Sequence, residues 1–185
     1  MRIDSAGNVG IGMTTPFALL TLKRGTGIGF EETPTVNPDT RRWWIQNDIV
    51  EYGDFLIRTA STKTASTPDL TRFYIDNTGN VGIGTTSPKS TLNISQGVTS
   101  GAVPTTLTIE NTDANILSGN DINRIDFFTN DGSTLGVAVQ GRISSVAENN
   151  GNQAGLSFST YNTTNLLTER MRITAAGGIS FGSTG

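Results

Sequence analysis

Short runs of apolar residues alternating with polar ones fill this chain, and Gly, Asn, Asp or Pro closes each run within a few positions. A period of two places alternate residues on opposite faces of an extended strand, and the closing residues are those that turns need. The pattern predicts strands centred on Leu20–Leu22, Ile28–Phe30, Trp43–Gln46, Phe55–Arg58, Arg72–Ile75, Val81–Ile83 and Leu92–Ile94. It continues with Leu107–Ile109, Arg124–Thr129, Gly136–Val146, Gly155–Tyr161, Arg170–Ile173 and Ile179–Phe181. Helical spacing is nearly absent, and only two short helical turns are expected, at Thr67–Leu70 and Thr164–Thr168. The same period assigns faces. Val137, Val139, Gly141 and Ile143 lie opposite Ala138, Gln140, Arg142 and Ser144, while Leu156 and Phe158 lie opposite Ser157 and Ser159. The fold class predicted is all-β.

One phrase recurs. Ile3-Asp4-Ser5-Ala6-Gly7-Asn8-Val9-Gly10-Ile11-Gly12, followed by Thr14-Thr15-Pro16 and Leu20-Thr21-Leu22, returns 72 residues later (Ile3 to Ile75) as Ile75-Asp76-Asn77-Thr78-Gly79-Asn80-Val81-Gly82-Ile83-Gly84, followed by Thr86-Ser87-Pro88 and Leu92-Asn93-Ile94. A weaker copy, Ile173-Thr174-Ala175-Ala176-Gly177-Gly178-Ile179-Ser180-Phe181-Gly182, follows 98 residues further on (Ile75 to Ile173). Gly7 and Gly79 suit a tight turn at positive φ. In the next strand Val and Ile face one way, while Gly10, Gly12, Gly82 and Gly84 face the other. A bare face lets another backbone approach closely, or marks a bend or bulge; three such strands could meet near an axis. Pro16 and Pro88 are expected to stop the strand, since proline cannot donate to a ladder.

Between the phrases, Arg42-Trp43-Trp44-Ile45 with Phe55–Thr59 echoes Arg124-Ile125-Asp126-Phe127-Phe128 with Leu156–Thr160, and each pair leads into an Arg-containing strand. The organisation expected is a turn-motif repeat at 1–22, a β module at 23–74, a second repeat at 75–95, a second module with longer loops at 96–169, and a degenerate repeat at 170–185. Insertions at Ile116–Asn123 and Ala147–Gln153 would account for the unequal spacing. Repeats of this kind indicate an array or an elongated body. The chain opens inside one copy and closes inside another, which points to a piece of a longer protein.

Composition sharpens this picture. Hydrophobic residues make up 35% and charged residues 16% of the 185 positions, a poor supply for a self-contained core. A net charge of −3 with no basic block argues against nucleic acid. Without cysteine or histidine, thiolate and imidazole metal sites and the commonest general base are excluded. No apolar run approaches the roughly 20 residues of a membrane span, so membrane insertion is not expected.

Arg170-Met171-Arg172-Ile173, the stretch Gly79–Pro88 and Leu92-Asn93-Ile94 together resemble the repeat of bacteriophage tail fibre and tail spike proteins, often found upstream of an endosialidase-type intramolecular chaperone. Met1–Leu22, Arg72–Ile94 and Arg170–Gly182 carry the likeness, and the linking modules resemble such fibres more loosely. The resemblance implies an interwound homotrimer about a long axis, with strands shared between protomers. It implies a place in the virion at the host-recognition end, beside other tail or baseplate proteins and facing host polysaccharide or lipopolysaccharide. The third copy departs from the pattern at Gly178 and Ser180.

The motifs offer little catalytic chemistry. The phrase lacks the helix and Lys of a phosphate cradle. Asn111-Thr112-Asp113 and Asn130-Asp131 supply oxygens for Ca²⁺ but are also ordinary turn residues. Glu31-Glu32, Glu51, Glu110, Glu148 and Glu169 are scattered along the chain, whereas a glycanase needs two carboxylates across a groove. No cofactor is implied. Sugar binding has better candidates. Trp44 shares a face with Gln46 and has Tyr52 nearby, and both core packing and a glycan platform suit it; Tyr161 at a strand end is a second candidate. Trp43, with Ile45, is expected in the core. Arg41-Arg42 and Arg170/Arg172 are expected to pair with acids across protomers or to be solvated. These residues are consistent with a non-enzymatic, receptor-binding fibre segment; a polysaccharide-degrading spike and a bacterial surface adhesin or filament are the alternatives.

Overall fold

The computed structural model describes residues 1–23, 27–30, 42–62, 69–96, 104–130, 138–149, 153–161 and 167–182, and among them every regular element is a strand. The protein is all-β. Met1–Leu107 and Thr108–Gly185 form two compact units. The first unit opens with β1 (Arg2–Ile3), β2 (Val9–Ile11) and β3 (Leu20–Leu22), a three-stranded sheet. Its second sheet runs β4 (Gly27–Phe30), β5 (Trp43–Asn47), β6 (Phe55–Thr59), β7 (Leu70–Ile75), β8 (Val81–Ile83), β9 (Leu92–Ile94), with neighbours in chain order. The second unit is a meander of β10 (Asp121–Thr129), β11 (Ala138–Ala147), β12 (Ala154–Tyr161), β13 (Leu167–Ile173) and β14 (Ile179–Phe181).

Pairing registers show the two large sheets to be the same module built twice. In the first, Ile28 pairs with Ile45, Ile45 with Ile57, Ile57 with Phe73, and Phe73 with Ile83. In the second, Ile125 pairs with Ile143, Ile143 with Phe158, Phe158 with Met171, and Met171 with Phe181. Even the irregularity recurs: the register shifts after Ile57 in β6 and after Phe158 in β12. A bulge at a fixed place re-aims the residues beyond it and so belongs to the design of the module.

This register corrects the expected echo. Arg124–Phe128 stands where β4 stands, not where Trp43–Ile45 stands, and the counterpart of β5 is β11. The extra length between the second and third phrases lies before the sheet, in residues 95–120 between β9 and β10, against residues 23–26 between β3 and β4. The hairpin after Ala147 contributes little to it.

Two further expectations change. Leu107–Ile109 belongs to no ladder among the described residues; its apolar alternation is that of a strand, yet no described strand pairs with it. Leu70 opens β7, and Leu167 and Thr168 open β13, so those ends of the two expected helical turns are strand; residues 67, 68 and 164–166 lie outside the described set, as do Glu31, Glu32, Arg41, Asp131, Gly136, Val137 and Asn162. Pro16 and Pro88 lie outside the strands, which stop at Ile11 and Ile83 as expected; what the sequence does not announce is the return. The chain returns after each as a short strand parallel to the one it left, with Val9 opposite Leu20 and Val81 opposite Leu92.

The core is thin. Among the described residues the buried apolar side chains are Leu56, Ala60, Tyr74, Val146 and Ala147, joined by the buried polar residues Thr21, Asp54, Thr59, Ser144 and Ser157.

Candidate functional site

The repeated phrase builds one device three times. In the second copy the Asp76 carboxylate accepts hydrogen bonds from the Thr78 and Asn80 amides (2.9 and 2.8 Å), the Thr78 hydroxyl (2.7 Å) and the Asn80 side-chain amide (3.0 Å). In the first, Asp4 accepts from the Ala6 and Asn8 amides and from the Asn8 side chain. In the third, the Thr174 hydroxyl accepts from the Gly178 amide at 3.0 Å. Each turn closes with the same backbone pair, the amide of Asp4, Asp76 or Thr174 donating to the carbonyl of Asn8, Asn80 or Gly178. Such side-chain caps mimic a backbone turn, which is why a hydroxyl can replace the carboxylate in the third copy. Gly7, Gly79 and Gly177 sit at φ 85°, 93° and 84°, as the turn requires.

Burial alone would raise the pKa of Asp76, but the hydrogen bonds from Thr78 and Asn80 outweigh it and bring the pKa down to about 2. A carboxyl whose folded value lies below its ordinary 3.8 contributes stability that is complete above the unfolded value and lost as pH falls through the folded one. The Asp76 turn is therefore expected to hold at pH 3 and to loosen as pH falls through about 2. The Asn80 side-chain amide resonances followed by NMR against pH report this directly; loosening at pH 4 would contradict it.

The glycine faces are occupied by the chain itself, which supplies the close backbone that a bare face admits. The crossover between β2 and β3 folds over Gly10, where a Cβ would lie 3.0 Å from the Met13 carbonyl oxygen and 3.6 Å from the Pro16 Cβ. Over Gly82, a Cβ would overlap the Thr85 carbonyl oxygen and sit 3.2 Å from Thr85 Cγ2. Parallel strands usually need a crossover of a dozen or more residues. Here residues 12–19 and 84–91 suffice, because the bare strand lets the loop lie flat on it. Gly12 and Gly84 start the crossover at φ 76° and 74°, and a Cβ on Gly84 would overlap the Ser95 carbonyl oxygen.

The aromatic candidates separate by face. In the first module Trp44, Gln46, Leu56, Arg58 and Tyr74 lie on one side of adjacent strands. Trp44 is half-buried, its Nε1 only 3.2 Å from where a Gly29 Cβ would stand; glycine there gives the indole its bed. Leu56 and Tyr74 beneath are 0% exposed. Burial, with Glu51, Asp54 and Asp76 close by, pushes the Tyr74 phenol above its usual pKa. Three atoms on this face, Gln46 Oε1, Arg58 Nε and Tyr74 Oη, are buried without a hydrogen-bond partner among the described residues. Such atoms are uncommon and mark a place where another polar group would be welcome.

Tyr52 is 75% exposed at the tip of the β5–β6 loop. That loop is held by Asp54, whose buried carboxylate accepts from the Ile49, Val50 and Glu51 amides at 3.0, 2.7 and 2.8 Å. Tyr161 is half-buried at the end of β12, in the other unit. Trp43 does share a face with Ile45, but it is 44% exposed in the chain rather than in its core, because no described residue of the first module covers it.

In the second module the equivalent polar face is clamped by charge. Arg142, at the position of Trp44, donates to both Asp126 oxygens (2.6 and 3.1 Å) and to Asp121 (3.0 Å). Its hydrogen bonds hold the Asp126 pKa below the usual range. Arg172, at the position of Tyr74, is paired with Glu169 at 2.6 Å and lies 3.8 Å from Glu148. The partners expected across protomers thus lie in its own chain. Ser144 and Ser157 are buried together, their hydroxyls 3.0 Å apart. The acids that looked scattered do gather here, but an arginine-clamped carboxylate such as Asp126 holds its charge and is a poor proton donor. Asn111 and Asp113 each cap a backbone amide two residues on, the ordinary turn role.

The roles of Asp4, Asp76 and Asp54 were missed in the sequence. The Asp-x-x-x-Asn spacing inside the repeat was the available signal for the first two; for Asp54 there was none. No protein-family model matches this chain, and no curated protein matches it either.

Proposed function

We propose that this chain is a structural and receptor-binding segment of a phage tail fibre, assembled as an interwound homotrimer that engages host surface glycans. The observation that carries the reading is the module itself: a five-stranded meander capped by the same turn phrase, made twice in one chain with the same register and the same bulge. A serial module of this kind lengthens a body without making a pocket, and the phrase it ends on is the one that resembles the fibre repeat. Adjacent tail or baseplate proteins would hold one end, in the virion, and host polysaccharide or lipopolysaccharide would meet the exposed faces and loops.

Glycan contact is assigned to the face of Trp44 in the first module, with Gln46 and Arg58 beside it. An indole offers a flat apolar surface to a sugar ring, and the Gln46 amide and Arg58 guanidinium groups are of the kind that hydrogen-bond sugar hydroxyls. Tyr52 projects from the loop at the end of the neighbouring strand pair. Each contact is weak, and repetition in a trimer would raise the apparent affinity by geometry. Titration of the purified chain with extracted cell-surface polysaccharide, followed by tryptophan fluorescence, is expected to saturate. Trp44→Ala is expected to weaken that binding at least about tenfold, the scale of one buried aromatic contact. Binding unaltered by the substitution would remove Trp44 from the site.

A further inference from the structure

We infer that copies of this chain pack against one another through the apolar faces of the two five-stranded modules, with the opposite faces turned outward. This builds on the assembly proposed above and adds to it which surface is the interface. The chain carries its own comparison. Position by position, one face is kept apolar in both modules, as Ile28 and Ile125, Phe30 and Phe127, or Ile45 and Ile143. The other face is rewritten: Trp44, Gln46, Leu56 and Tyr74 in the first module are replaced by Arg142, Ser144, Ser157 and Arg172 in the second. A face kept while its reverse changes chemistry answers to one common requirement.

Within a single chain that apolar face is open. Phe127 is 56% exposed and Phe181 77%, while Ser144 and Ser157 on the reverse side are buried. This inverts the ordinary arrangement of a soluble fold. The small first sheet repeats it, with Ile3, Ile11 and Leu20 exposed on the side opposite Gly10. The thin core agrees: among the described residues the buried hydrophobic side chains are only Leu56, Ala60, Tyr74, Val146 and Ala147, so much of the apolar surface that a fold must bury is still open in the single chain.

The occupant is a second copy. The described residues of these faces are mostly apolar, and the Arg170 guanidinium among them is tied to Thr160 at 3.0 Å, so recognition comes chiefly from apolar shape. A partner covering both must offer two matching apolar sheets, and a symmetry-related copy offers its own.

Phe30→Glu combined with Phe127→Glu tests the face. Neither ring is buried in the single chain, so the fold should survive, as read by the β signature in circular dichroism. Ser159→Glu, on the reverse face opposite Arg142, is the control. Light scattering is expected to give a multi-chain mass for the wild type and the control, and a single-chain mass for the double variant. A double variant that keeps the wild-type mass overturns the face assignment and leaves the assembly standing. A wild type that is itself a single chain overturns the assembly.

Should the double variant fail to fold, acrylamide quenching decides. In Trp44→Phe the remaining Trp43 is expected to be shielded in the assembly, and in Trp43→Phe the remaining Trp44 is expected to be quenched several-fold more strongly. The reverse order overturns the proposal.

Discussion

Gly82→Val is expected to lower the stability of the first unit by about 3 kcal/mol, the upper end of the cost of overpacking a close-packed site. The new side chain would grow into the Thr85 carbonyl and methyl, and backbone gives way less easily than a flexible side chain. The crossover over residues 84–91 would lift, and with it the parallel pairing of β9 on β8. Gly79→Ala, three residues earlier, provides the contrast. A Cβ there meets nothing within 4 Å, so its cost is only the left-handed backbone at φ 93°, about 1–2 kcal/mol. Denaturant unfolding of the two variants should rank Gly82→Val well below Gly79→Ala. Equal losses would mean that the crossover does not rest on Gly82. Ser180 holds the equivalent place in the third copy and is exposed, which fits a position with no loop above it among the described residues.

Leu56→Ala should cost about 2–5 kcal/mol, the range for emptying a fully buried leucine site. With so few buried apolar side chains available, little else can collapse into the space. Tyr74→Phe, directly across the ladder from Leu56, should behave differently. Its hydroxyl is buried without a partner, so removing it relieves a desolvation penalty instead of breaking a bond. The expected change is neutral to about 1 kcal/mol stabilising. Thermal melts of both variants check the pair. A loss of more than 1 kcal/mol in Tyr74→Phe would show that the hydroxyl is satisfied in the assembled protein.

Most of the strand pattern was legible in the sequence because each strand buries or aligns one side, so Ile28, Ile45 and Ile57 announce themselves by a period of two. The phrase was legible as a turn because Gly7 and Gly79 do what only glycine does cheaply. Its purpose was less so. Glycine at positions 10 and 82 signals a close backbone, but not whose backbone, and the short parallel return could not be read from Pro16 or Pro88. Leu107–Ile109 has the periodicity of a strand without the partner that makes one, since pairing is a property of two segments. The candidate aromatics divided for the same reason. Trp43 and Trp44 are adjacent in sequence and opposite in space, and only the register with Ile57, Arg58 and Gly29 shows which neighbours each has. Asp126 and Arg142, and likewise Glu148 and Arg172, lie far apart in sequence, and the meander brings each pair together.

Molar mass in dilute solution, by light scattering on a sizing column, decides whether the chains assemble. The expected result is a folded β species of about three times the 19.6 kDa of one chain, with the open apolar faces closed against one another. A stable, folded species of one chain mass would overturn the trimer.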